Sequence, residues 1–517
     1  MKTRLLLFIM LLAFSAAKAQ YTSPNSGVRW NLNNLVTASA AKGSVTYSGG
    51  VYFVNDSITI AQNDTLFIDS NETLKLGNKI MITIEGTLLV IPPDSVKITA
   101  ANPADKFHTL RFETSASATA PNLSLLKKTI VEHGSGVRVI SAGLIMDSCI
   151  VRFNERAAQS GAINVSGDVP VIISNSKVHH NARAGVSTPA NGATVTIRNN
   201  WFFENGQEPG LYPQINLGPA KSGPIEVTGN TIIGINAPTN RSGGIAIANL
   251  LGSSAITEFL IANNTIRQNS YGVNVTGTNM KGYIKGNLLE GNKVYPDPMA
   301  AGSGINFFSS TGPQDIIVSR NIIRDNRWGI TMQSGSTVKT GPKPSLGRIN
   351  PIDTADVGLN QIYNNYNNGA SGQIWDVYNN TTDTIFAQNN IWGTTDTTVI
   401  EDHIFHKTDN ANHGKVIFTP IYTKPATGIR PEIMQNALAL YPNPATDIVK
   451  VELNGMVLST KTHLRFYNNL GQEVLNLQPN NNTGSLKINT SGLPAGLYVY
   501  RLENGAKTYT GKLLIQR

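Results

Sequence analysis

One short pattern returns along the middle of the chain and constrains its fold more than anything else in the sequence. Ile173-Ser-Asn-Ser176-Lys-Val178 is followed by Ile197-Arg-Asn-Asn200-Trp-Phe202 and Val227-Thr-Gly-Asn230-Thr-Ile232. Ile261-Ala-Asn-Asn264-Thr-Ile266, Ile284-Lys-Gly-Asn287-Leu-Leu289 and Val318-Ser-Arg-Asn321-Ile-Ile323 then continue the series. Weaker copies place Ser148, Asn360 and Asn389 at the same position, so seven of nine equivalent residues are Asn and two are Ser. The spacing runs from 23 to 39 residues, a base period of 23 with insertions of varying length. A fixed short unit with variable insertions is the mark of a solenoid whose loops differ from coil to coil.

Each unit holds short apolar alternations such as Val195-Thr-Ile197 and Ile225-Glu-Val227, the period of a strand with one face inward. A second block follows each Asn and opens on Gly: Gly161-Ala-Ile-Asn-Val, Gly244-Ile-Ala-Ile, Gly272-Val-Asn-Val, Gly304-Ile-Asn-Phe and Gly329-Ile-Thr-Met. The unit is too short for helices between its strands. It predicts three strands per coil: one before the Asn, one after it and one after the Gly. Stacked coils then form three parallel sheets around a dry core. Residues Asn200, Asn230, Asn264, Asn287, Asn321, Asn360 and Asn389 are predicted to stack at one turn, about 4.8 Å apart. Their amides both donate and accept, so they can bond along the stack as a ladder.

Residues 1–19 read as an export signal: Lys2 and Arg4, an apolar run from Leu5 to Phe14, then Ala17-Lys-Ala19. No later stretch reaches the roughly 18 apolar residues of a membrane span. With a single cysteine, Cys149, a disulfide framework and a Cys-based metal site are excluded. The formal net charge is +9, but three of those charges lie in the leader and four in the last eighty residues, leaving +2 between them. That distribution argues against nucleic acid as a partner.

These repeats resemble the right-handed parallel β-helix of the pectate-lyase-like superfamily over residues 50–425, with Ile58–Ile60, Thr65–Ile68, Thr73–Leu76 and Gly86–Val90 as first coils. Asn389-Asn-Ile-Trp392-Gly393 and Gly414–Pro420 resemble its closing coil and cap. After a Pro- and Gly-containing stretch the period changes. Tyr441, Pro442, Asn443 and Pro444, the turn at Gly471, Gly496 with Tyr498, and the terminal strand from Lys512 resemble the type A C-terminal sorting domain of the type IX secretion system. The expected organisation is all-β: signal peptide 1–19, β-helix 20–425, linker 426–437 and a small Ig-like β-sandwich over 438–517. The resemblance implies the type IX machinery as a partner, and a secreted or surface-held, monomeric product from which the sorting domain is removed.

In the resembled enzymes substrate lies along one sheet. Here the strand after the Gly is the candidate, with Asn164, Asn216, Asn274, Asn306 and Thr331 facing out. Eight coils would offer about 40 Å of polar, uncharged groove. The acidic blocks of pectate-type lyases and the N-T-D and G-H-G blocks of polygalacturonase-like enzymes are absent. Paired carboxylates are not found on the strand face. The expected role is therefore binding of a polysaccharide or surface glycan through Tyr271, Asn274, Asn306, Asp325, Arg327 and Trp328. The alternatives are a lyase or glycosidase with a non-standard site, and an adhesin or spacer. No cofactor or metal site is predicted; calcium enters only in the lyase reading. His179 and His180 are expected on opposite faces, so joint ligation is not expected there, and His403 and His406 could share a face of a short helix in the cap, the pairing a metal would need.

Overall fold

The computed structural model describes residues 20–423 and 439–516, apart from residues 115–119, 156–160, 191, 221, 236–240, 311, 313, 368–371, 453–461, 469–471, 480–484 and 505–506. The leader 1–19, the whole of the expected linker 426–437 and Gly471 lie outside the described residues. The chain forms two compact units, Met1–Thr423 and Lys424–Arg517.

Through the middle of the first unit each coil runs through three strands, each paired in parallel with its counterparts in the coils before and after, while at the N-terminal end Val45–Ser48 pairs antiparallel with Val51–Val54. Sheet 1 holds the strands before the Asn, such as Ala193–Arg198, Ile225–Thr228 and Thr257–Ala262. Sheet 2 holds those after it, such as Trp201–Phe203, Thr231–Ile233 and Thr265–Arg267. Sheet 3 holds those after the Gly, such as Ile245–Ala248, Val273–Thr276, Ser303–Phe308 and Trp328–Gln333. Alternation decides which side chains enter the core. In sheet 1 Ile173, Ile197, Val227, Ile261, Ile284 and Val318 stack with no exposure, and in sheet 3 Ile245, Val273, Ile305 and Ile330 do the same. Branched side chains suit such columns because few rotamers are lost on burial.

The N-terminal mouth is closed by the helix Leu32–Ala38, whose Asn31 and Asn34 form a capping box and whose Leu32 and Leu35 are buried. A carboxylate ties down the segment before it: Asp64 accepts from the Ser23 hydroxyl (2.5 Å) and from the backbone N–H groups of Asn25, Ser26, Gly27 and Val28. At the far end the helix Thr397–Asp402 buries Ile400, and Trp392 packs near Phe418.

The Asn ladder forms, with two corrections at its ends. Asn200, Asn230, Asn264, Asn287, Asn321 and Asn360 each donate from the backbone N–H and from Nδ2 to the next Oδ1, at 2.9–3.0 Å. The last acceptor is Asn390, not Asn389, and the position assigned to Ser148 belongs to Cys149, whose N–H donates to Ser176 Oγ. Asn389 and Ser148 instead adopt left-handed backbone angles (φ 59° and 57°), as do Asn175, Asn199 and Asn263. The tight turn is thus made by the residue preceding the ladder, which supplies the positive φ, while the ladder residue supplies the bonds.

A second ladder, unforeseen in the sequence reading, lines the next turn. Asn154 bonds to Asn181 and Asn181 to Asn205; Asn269 bonds to Asn292, Asn292 to Asn326, and Asn326 to Asn365. Its gap falls at Ile235, opposite Asn205, where the Gln214 amide takes the place of the missing Asn. Asp376 Oδ1 ends it by accepting from Asn365.

The second unit has a three-stranded antiparallel sheet (Ala439–Tyr441, Ile448–Glu452, Ser485–Asn489) and a four-stranded one (Glu473–Leu477, His463–Tyr467, Gly496–Asn504, Lys507–Ile515). Val449, Val451, Leu464, Phe466, Leu502 and Leu513 form one hydrophobic cluster with residues from both sheets.

Candidate binding face

The outward residues of sheet 3 lie in one row, because parallel pairing keeps them in register: Arg111, Arg138, Asn164, Ser187, Asn216, Ala246, Asn274, Asn306, Thr331, Tyr378 and Phe405. From Asn164 to Thr331 the row is uncharged, with the buried Ala246 its apolar member; the two coils before Asn164 carry Arg111 and Arg138. The polar stretch is knitted together. Asn306 donates to Asn274 Oδ1 (2.7 Å), Thr331 donates to Asn306 Oδ1 (2.7 Å), and Ser303 Oγ lies 3.0 Å from Thr331 Oγ1. Thr331 is buried, so Asn274 and Asn306 present the accessible amide edges.

Beyond Thr331 the row turns aromatic. The Tyr378 and Phe405 rings stack with centroids 4.4 Å apart and planes 11° from parallel. Trp328 meets Tyr378 edge-on at 5.0 Å, and Trp375 meets both Tyr378 and Phe405 edge-on at 5.9 and 5.6 Å. His413 adds a fifth ring against Phe405. Trp328, Trp375, Tyr378 and Phe405 are all half-buried, which leaves ring surface to solvent beside the amide row. Burial, with Asp409 adding to it, raises the Tyr378 phenol above its ordinary pKa, so the platform is uncharged. Trp328 is held by its indole N–H, which donates to Pro298 O at 2.8 Å and so ties the platform to the loop before Gly304.

Sequence reasoning missed Trp375, Tyr378 and Phe405 because their coils lack the marker Gly. In register, Asp376 and His403 take the place of Gly329, and Gly329 itself is required by a close approach: a Cβ there would lie 2.2 Å from Asp376 O. The signal that remained was the local density of aromatics, Trp375 and Tyr378 on either side of the buried pair Asp376-Val377.

Three of the expected site residues have other work. Tyr271 does share a row with Trp328, but Ser303 stands between them, and the Tyr271 ring lies flat over Gly243, where a Cβ would sit 2.0 Å away. Burial pushes its phenol far up. Arg327 packs on Gly302 and donates to three carbonyls, Tyr295 O, Asn367 O and Lys293 O, stapling loops rather than facing a ligand. Asp325 occupies the left-handed turn (φ 57°) before sheet 3, 3.9 Å from Arg324 of sheet 2. The structure therefore brings Asn274, Asn306 and Trp328 to one face and leaves Tyr271, Asp325 and Arg327 outside it.

The histidines also depart from expectation. His403 and His406 do not converge: His406 is buried between Glu401 Oε1 (2.8 Å) and the N–H of Val416, while His403 lies 3.3 Å from Asp376. His179 and His180 do converge, with Nδ1 atoms 2.8 Å apart, because the left-handed turn at His180 (φ 52°) breaks strand alternation.

Residues 113–256 match the family of right handed beta helix regions, and residues 439–516 match the secretion system C-terminal sorting domain. The chain is a right-handed parallel β-helix protein with a type IX secretion sorting domain. Among solved structures it is similar to the A-module of the Azotobacter vinelandii mannuronan C-5 epimerase AlgE6 (13% identity, 77% of this chain and 100% of the other, TM-score 0.32). It is also similar to the receptor-binding protein of bacteriophage Det7, a podoviral tailspike in a myovirus (9%, 96% and 94%, TM-score 0.25). Neither likeness bears on what this chain binds. No curated protein sequence matches it. The sorting domain makes this an exported protein of the cell surface or the medium, and among the described residues no helix is long and apolar enough to cross a membrane.

The sorting motifs, far apart in sequence, meet in the domain. Asn443 donates from Nδ2 to Lys512 O (2.9 Å) and accepts from the N–H of Leu514 (2.8 Å). Ala445 exchanges backbone bonds with Leu514 and Gln516. Tyr498 donates its hydroxyl to Pro494 O at 2.8 Å.

Proposed function

We propose that the exported β-helix binds a polysaccharide or surface glycan along sheet 3. The observation that carries the proposal is the continuous row in which the accessible amides of Asn274 and Asn306 run into the Trp328–Tyr378–Phe405 platform. Sugar rings offer apolar C–H faces and hydroxyl edges, which aromatic faces and amides can meet in alternation. Coil spacing of about 4.8 Å sets one row position against roughly one sugar unit. In this reading the leader 1–19 is removed on export, the sorting domain after passage, and the monomeric β-helix remains at the surface or is released.

The test is binding of the purified full chain to immobilised neutral and acidic polysaccharides, with and without calcium, with mass spectrometry of the supernatant. Binding to at least one glycan, weakened about tenfold (~1.4 kcal/mol) in Tyr378→Ala and Phe405→Ala, is the expected result. Variants that bind as tightly as the parent would refute the platform. Unsaturated or shortened oligosaccharides in the supernatant would replace the binder with an enzyme.

A further inference from the structure

On the outward face of sheet 2, away from sheet 3, His179 and His180 lie among Phe153, Trp201 and Phe203. Their rings stand 83° apart, with Nδ1 facing Nδ1 at 2.8 Å. The other nitrogen of His180, Nε2, lies 3.2 Å from Glu204 Oε2. His180 and Glu204 occupy the same left-handed turn in successive coils, so the fold itself stacks them. Both side chains keep about a third of their surface, 35% and 30%.

That arrangement sets the tautomers. The carboxylate of Glu204, 3.2 Å away, favours the tautomer of His180 with its proton on Nε2, which leaves the His180 Nδ1 lone pair free. Without a metal, His179 must then carry its own proton on Nδ1 to bond across the 2.8 Å gap. Burial, followed by His180, Arg152 and Lys177, pushes His179 down to about 4. Arg152 is itself engaged by Glu132 at 2.8 Å.

We infer that His179 and His180 form a two-nitrogen site for a divalent transition-metal ion of square-planar preference, Cu²⁺ above all, with Glu204 as the carboxylate that orients His180. Bonds of about 2.0 Å at a right angle place two ligand nitrogens about 2.8 Å apart, whereas tetrahedral geometry needs about 3.3 Å. The separation therefore selects a tetragonal ion, and copper stands highest in the affinity order of divalent metals. The His180–Glu204 contact is the usual outer partner of a metal-bound imidazole. Binding requires the proton held between the two Nδ1 atoms to move to the His179 Nε2, so that both Nδ1 lone pairs meet the cation. Among the described residues no group of three or more His, Cys, Asp or Glu side chains is arranged around a metal, so water completes the coordination. The site is one of metal capture on the surface of the coil.

The experiment is titration of the metal-free full chain with Cu²⁺ against a glycine competitor, followed by electron paramagnetic resonance. One tight equivalent with hyperfine splitting from two imidazole nitrogens is expected. Glu204→Gln should weaken it about tenfold, and His179→Gln/His180→Gln should abolish it. Zn²⁺ should bind more weakly than Cu²⁺. A double variant that binds copper as tightly as the parent overturns the proposal. So does a parent spectrum with fewer than two nitrogens, which is read on the unaltered chain and does not depend on how the variants fold.

Discussion

Asn287→Ala tests the ladder at its centre. Asn287 is 1% exposed, and its Oδ1 accepts from the N–H and Nδ2 of Asn264, both at 2.9 Å. Its Nδ2 donates to Ile261 O and Asn321 Oδ1, again at 2.9 Å. Truncation leaves the Asn264 N–H, the Asn264 amide and the Ile261 carbonyl without those partners, inside a core that offers no replacement side chain. Asn321 Oδ1 keeps the backbone N–H of Asn287. Each orphaned group costs about 1–3 kcal/mol, and a water entering the vacated space recovers part of the sum, so the expected loss is about 3–5 kcal/mol. The matched control is Asn274→Ala on the outward row, where water can replace the lost bonds and the expected cost stays below about 1 kcal/mol. Urea unfolding of the full chain followed by far-ultraviolet circular dichroism measures both. Equal midpoints for the two variants would refute the ladder as a stabilising device and reduce it to a by-product of turn chemistry.

The N-terminal latch should be pH-dependent. Burial alone would raise the Asp64 carboxyl, but hydrogen bonds from Ser23, Val28, Asn25 and Gly27 outweigh it and hold the folded pKa below the ordinary value. Its contribution is full above the unfolded pKa of about 3.9 and is lost as pH falls through the folded one. Protection against amide exchange over residues 21–30, taken relative to the intrinsic rate at each pH, should therefore fall on acidification below about pH 4, and Asp64→Asn should remove that dependence; a parent profile identical to the variant's contradicts it. In the sorting domain, Asn443→Ala removes both side-chain bonds to the terminal strand, for a loss of about 1 kcal/mol because water reaches the exposed groups, and a fall in export, read as protein retained in the cells that produce it. Full export with an unchanged melting temperature would show that the clamp is not used.

How far the molecule was legible depends on whether a feature repeats at constant spacing. The apolar columns and the first ladder recur through consecutive coils, and stacking favours like neighbours, so they stand out at Asn200, Asn230 and Asn264. The second ladder was equally regular: Asn205, Asn269, Asn292, Asn326 and Asn365 each follow a first-ladder Asn by five residues, yet the break at Ile235 hides it from a reading anchored on one column. The one-residue errors at Ser148 and Asn389 have a physical origin. Left-handed turns and side-chain ladders both favour small polar residues, so where two such residues adjoin, composition does not tell which bends the chain and which bonds along the stack. The aromatic platform was hidden for the opposite reason. It arises where the repeat ends, from Trp375, Tyr378 and Phe405 in coils that have lost their Gly, and only parallel register brings them beside Trp328. The convergence of His179 and His180 likewise required a positive φ that alternation rules do not contain. Stacking demands similarity from coil to coil, whereas a binding site demands difference. In a solenoid the residues most open to functional use are therefore those at which the repeat breaks.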